Sequence, residues 1–71
     1  MSREVAIRGD VIRLGELLKL AGIAGTGGEA KALLASTAVL VNGELENRRG
    51  RQLRAGDEVQ VREERLRVVA R

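Results

Sequence analysis

The chain has no Phe, Tyr or Trp, and no cysteine, histidine or proline. Any core must therefore be aliphatic, drawn from ten Leu, eight Val, three Ile and nine Ala among its 71 residues. A chain this short hides only ~60% of the surface that its unfolded form exposes. That suffices for one core, so a single domain spanning residues 1–71 is expected. Without cysteine there is no disulfide and no thiolate metal site. Without histidine the usual metal ligand and the usual neutral-pH general base are both gone. Ser–His–Asp, Cys–His and His–zinc chemistry lie outside this chain, and no cofactor or metal is expected.

The formal charge is +3, from thirteen Lys and Arg against ten Asp and Glu. Its distribution is uneven. Residues 1–47 hold five basic and six acidic side chains, while residues 48–71 hold eight and four. Arg48, Arg49, Arg51 and Arg54 fall within seven positions. Such asymmetry points toward a polyanionic partner, and Arg offers a planar fork that grips phosphate. No apolar run approaches the ~18 residues of a membrane helix, and the N-terminal residues lack a signal-peptide core. A cytoplasmic, membrane-independent protein is the expectation.

Hydrophobic spacing predicts an α+β fold, with two short helices on a small, mostly antiparallel sheet. Val5 and Ile7 alternate with polar neighbours as in a strand. Leu14, Leu17, Leu18 and Ala21 share one helical face, and Gly22 sits where a left-handed helix end is expected. Thr26 and Glu29 form a capping box for a second helix running to about residue 35, with Ala30, Leu33 and Leu34 inward. Val39–Val41 reads as a strand leading into Asn42-Gly43, a strong hairpin signal. Leu45 briefly continues the return strand, before the basic run Asn47–Arg51. A turn at Ala55–Asp57, a strand at Val59 and Val61, a turn at Glu63–Arg65 and a last strand at Leu66, Val68 and Ala70 complete the order.

Four features in this order resemble a known family. They are Arg13-Leu14 with Lys19 and Ala21-Gly22, then Ala30-Lys31 with Leu33-Leu34, then Val39, Val41 and Asn42-Gly43, then Gly56-Asp57 with Val59. Together they resemble the S-four-type (alpha-L motif) RNA-binding domain over roughly residues 12–61. The Thr26-Gly27-Gly28 helix start and the run Asn42–Arg51 are similar to its short stand-alone bacterial members, the YbcJ type. The resemblance implies non-catalytic binding of structured RNA, with ribosomal RNA favoured, through a basic face made by the paired helices and the loop beside the hairpin. The ribosome or RNA-processing proteins are further expected partners, and a monomer is expected.

The candidate contacts are Arg48, Arg49, Arg51 and Arg54 in the basic stretch, Arg13 and Lys19 on the first helix, and Lys31 on the second. Gly50 among arginines lets backbone approach a phosphate. The alternative is a solvated loop in which arginines pair with Glu44 and Glu46; one such pair could fold the hairpin and leave the other arginines free. Thr26, Gly27 and Gly28 form a second candidate, because a helix N-terminus offers unsatisfied N–H groups. Simple capping by Thr26 is its alternative. Asn42 is a turn former that could also reach a 2′-hydroxyl. Asp57 holds the turn at Gly56.

Lack of aromatics also bears on mechanism. Readers of single strands stack bases on aromatic rings, so recognition here must rest on phosphate, 2′-hydroxyl and shape. Three rival readings are a DNA-binding helix–turn–helix, a protein adaptor whose basic loop meets an acidic partner, and an enzyme using Lys31 or Ser36. The first has a poor recognition helix, and the last has no base at a recognisable spacing.

Overall fold

The computed structural model describes residues 2–71. The elements in chain order are β1 (Ser2–Ile7), β2 (Ile12–Arg13), α1 (Leu14–Leu20), α2 (Gly27–Ser36), β3 (Val39–Val41), β4 (Glu44–Leu45), β5 (Gln52–Leu53), β6 (Glu58–Val61) and β7 (Glu64–Ala70). Five strands form one sheet in the order β1-β7-β6-β3-β4, and β2 pairs with β5 in a separate two-stranded ribbon. All contacts in the main sheet are antiparallel except β1 with β7, which is parallel. The expected α+β architecture is thus observed.

Register explains which face is covered. Val5 lies opposite Val68, Val59 opposite Leu66 and Val41, and Val61 opposite Val39. A strand sends alternate side chains to one face, so these residues make a single aliphatic surface. Leu14, Leu17 and Leu18 of α1 and Ala30, Leu33 and Leu34 of α2 complete the same core. The other face carries Glu4, Leu40, Gln60, Arg65 and Arg67 in register. Leu45 stands opposite Leu40 on this open face and is 74% exposed.

Local signals produce the helix ends and turns. At the end of α1 the Gly22 N–H donates to the Lys19 carbonyl and the Ile23 N–H to the Leu18 carbonyl. Gly22 has φ of 77°. This is a Schellman motif, and Ile23 packs on the core beside it. α2 opens with the Glu29 N–H donating to Thr26 Oγ1 at 3.1 Å. The Glu29 carboxylate accepts from the Gly25 N–H at 2.6 Å, one residue before the usual capping-box partner. Asn42 and Gly43 have φ of 51° and 86°, and Val41 pairs with Glu44, a two-residue hairpin of the expected kind.

Three features differ from the sequence expectation. The ribbon of β2 with β5 was not foreseen, because two-residue strands carry no measurable alternation. The last turn lies at Arg62-Glu63 and not at Glu63–Arg65, with Arg62 at positive φ and β7 starting at Glu64. The parallel pairing of β1 with β7 joins segments more than fifty positions apart.

Leu53 shows how the small ribbon matters. It is fully buried and pairs with Ile12, which leads directly into α1. Leu53→Ala is expected to cost about 2–5 kcal/mol, a large share of the stability of a domain this size. Urea unfolding followed by far-UV circular dichroism checks this; a loss below about 1 kcal/mol would mean the site collapses around the cavity.

Candidate nucleic-acid interface

The basic stretch is shaped by two constraints, one at each end of a tight turn. The Arg51 N–H donates to the Arg48 carbonyl at 3.2 Å, placing Arg49 and Gly50 at the tip. At the base sits Glu46, whose residue is only 8% exposed. Glu46 Oε2 accepts from the Arg48 N–H at 3.1 Å and from Arg48 Nε at 3.0 Å. Glu46 Oε1 accepts from Arg48 Nη2 at 3.0 Å and from Arg51 Nη1 at 2.8 Å. Four N–H donors, three of them from guanidinium groups, satisfy one nearly buried carboxylate. Glu46 therefore engages two arginines where pairing with one was expected, and Glu44 stays exposed. Hydrogen bonds from Arg48 and Arg51 hold the Glu46 pKa well below the ordinary carboxylate range, outweighing the upward push of burial.

The outer side of the turn docks on α1. Residue Arg13 precedes this helix without a side-chain cap. Instead, the Leu14 N–H donates to the Arg51 carbonyl at 2.8 Å and the Gly15 N–H to the Arg49 carbonyl at 2.9 Å. Two of the helix's orphan donors are thus satisfied by the basic turn. Glycine is needed at position 15, because a Cβ there would overlap Arg49 Cγ. The close approach lays the Arg49 side chain across α1 toward α2, where Arg49 Nη1 reaches the Gly27 carbonyl at 3.4 Å.

This packing leaves a shallow open groove of about 340 Å³ between the two helix starts and the turn. Arg13, Lys19, Arg49 and Glu16 bring three cations and one carboxylate to it, over a floor that includes Gly15, Gly27 and Gly50. Among the described residues, none of these three cations has a carboxylate partner.

The candidate residues divide accordingly. Arg13, Lys19, Gly27 and Arg49 meet in the groove, and Lys31 stands one helical turn beyond Gly27 on the same side of α2. Thr26 serves as the α2 cap, with Gly28 following in the first turn. Arg48 and Arg51 point back to Glu46. Asn42 and Arg54 meet elsewhere, at Asp57. Asn42 Nδ2 donates to Asp57 Oδ1 at 3.1 Å, and the Arg54 N–H donates to Asp57 Oδ2 at 2.8 Å. The Glu58 N–H occupies Asn42 Oδ1 at 2.9 Å, so the Asn42 amide is committed to joining two turns. The residues that sequence reasoning missed are Gly15, Glu16 and the full role of Glu46. A glycine in the first turn of a helix was the available signal for Gly15, since it invites a backbone to approach.

A match to the S4 domain model covers residues 5–69. This chain belongs to the S4 domain family. Within it, the chain is 46% identical over 61 residues to the probable ribosome maturation protein RlbA of Bacillus subtilis (strain 168), covering 86% of each sequence. The motifs that suggested the family are those that build this S4 domain: the α1 end, the α2 start, the Asn42-Gly43 hairpin and the Asp57 turn. Among the described residues no helix is long and apolar enough to cross a membrane, and no three His, Cys, Asp or Glu cluster to hold a metal.

The depressed Glu46 pKa has a signed consequence. Ionised Glu46 contributes stability above the unfolded carboxylate pKa, and that contribution is lost as pH falls through the lower folded value. Glu58, held down by Arg67, acts in the same direction. Comparing wild type with Glu46→Gln isolates Glu46. The wild-type advantage in melting temperature is expected to be full at neutral pH and to shrink below about pH 4.5. A difference independent of pH would show that Glu46 acts by shape and not by charge.

Proposed function

We propose that this chain is a non-catalytic RNA-binding module that docks on structured RNA, with ribosomal RNA as its target. The observation that carries this reading is the groove in which Arg13, Lys19 and Arg49 converge around Glu16, none of the three in a salt bridge among the described residues. Three cations lining one groove can each neutralise a phosphate, and each phosphate neutralised releases condensed counterions. Glu16, beside them, offers an acceptor suited to a 2′-hydroxyl. Membership of the S4 domain family and the naming of the Bacillus subtilis relative as a probable ribosome maturation protein support the same reading.

The mechanism is electrostatic and geometric. No aromatic ring is present to stack an unpaired base, so affinity rests on phosphates and the shape of a folded backbone. Lys31, the Thr26–Gly28 turn and the outward edges of Arg48 and Arg51 extend the contact surface, and Arg54 adds charge beside the Asp57 turn. The module acts as a monomer in the cytoplasm.

The test is titration into a fluorescently labelled, structured ribosomal RNA fragment across a salt series, with single-stranded RNA and duplex DNA in parallel. Wild type is expected to prefer the folded RNA. The triple variant Arg13→Ala, Lys19→Ala and Arg49→Ala is expected to lower the salt slope by about three, one per phosphate contact. Equal affinity for all three polyanions, or no binding at moderate salt, would sink the reading and turn attention to an acidic protein partner.

A further inference from the structure

The basic turn holds a second arrangement that the groove does not use. Arg48 and Arg51 are bound to a carboxylate, which at first sight removes them from any contact with an anion. Their geometry says otherwise. The Glu46 side chain is 7% exposed and that of Arg48 is 72% exposed. The carboxylate lies inside and the guanidinium lies outside. A guanidinium carries five N–H groups. Arg48 spends its Nε and one Nη2 donor on Glu46, and Arg51 spends one Nη1 donor. The side-chain hydrogen bonds of both go to Glu46 alone, which leaves other N–H groups of each guanidinium to spare.

Glu46 is itself fixed. Its N–H donates to the Val39 carbonyl at 2.9 Å, which ties it to the sheet. The Arg51 carbonyl in turn caps α1. The two arginines are therefore braced between sheet and helix, the Arg48 side chain 72% exposed and that of Arg51 33% exposed, so solvent reaches both. The group of three carries a net charge of +1.

We propose that Glu46 is a positioning residue for phosphate binding: it holds the Arg48 and Arg51 guanidinium groups as one preorganised pair whose remaining N–H groups take RNA phosphate oxygens. The inference rests on the RNA-binding reading above. Free arginines must lose rotamer freedom when they bind, and a side chain already held avoids that cost. Arg presents a fork that Lys cannot reproduce. Simple charge counting makes Glu46 a competitor of the phosphate; positioning makes it a support. The two accounts predict opposite signs for its removal.

The experiment measures affinity for the same structured ribosomal RNA fragment, with folding of each variant verified by far-UV circular dichroism. Glu46→Gln raises the net charge by one, yet it is expected to bind roughly tenfold more weakly. That loss should vanish when Arg48→Ala and Arg51→Ala are already present, which a general structural effect would not produce. A second variant leaves Glu46 in place. The double substitution Arg48→Lys and Arg51→Lys keeps every charge, and is expected to lose roughly tenfold in affinity with an unchanged salt slope. This variant decides the matter if Glu46→Gln does not fold. Tighter binding by Glu46→Gln, or wild-type affinity in the double Lys variant, overturns the proposal while leaving RNA binding intact. Absence of RNA binding by the wild type overturns both.

Discussion

The course of the basic turn between β4 and β5, and its docking on the first helix, depend on one nearly buried carboxylate. Glu46 follows the edge strand β4 and is hydrogen-bonded through its own N–H to β3. A charge in that position is tolerated only when it is well paired, and four N–H donors from two arginines pair it. Those bonds decide where Arg48 and Arg51 lie. They leave Arg49 at the tip of the turn, free to cross α1. The division of the basic stretch into an inward-braced pair and an outward-lying arginine follows from this single anchor.

A second dependence runs through backbone. α1 is only seven residues long and begins without a side-chain cap. Short helices are marginal unless packing and capping support them. Here the support comes from carbonyls of the turn itself, so the helix bearing Arg13 and Lys19 and the turn bearing Arg49 stabilise each other. The β2–β5 ribbon makes the same connection from the other side, pairing Arg13 with Gln52 and Ile12 with Leu53. The cationic groove is thus a consequence of how α1 is held. Glycine at position 15 is what permits so close an approach.

The neighbouring hairpins are organised around a different acid. Asp57 joins the Asn42-Gly43 turn to the Ala55–Asp57 turn, taking one donor from Asn42 and one from the Arg54 backbone. This explains why Asn42 serves the fold, although its residue type also suits contact with RNA. The same polar chemistry that recognises a nucleic acid is used inside a small protein to lock turns. Only the surroundings separate the two uses.

Much of this molecule was legible in its residues, because the relevant signals act over a few positions. Gly22 ends α1, Thr26 starts α2 and Asn42-Gly43 reverses β3, each through a backbone conformation or hydrogen bond set by its immediate neighbours. The alternation at Val39–Val41, Val59–Val61 and Leu66–Val68 marked the covered face of the sheet, and the lack of aromatics, cysteine and histidine narrowed the chemistry from the outset. Tertiary structure decided the rest. The parallel pairing of β1 with β7 and the ribbon of β2 with β5 join distant segments, and strands of two residues display no period to read. Which arginine faces a groove and which faces a carboxylate was equally hidden. Arg48, Arg49 and Arg51 are alike in sequence; they differ because Arg48 and Arg51 flank the turn at its base, beside Glu46, while Arg49 sits at its tip.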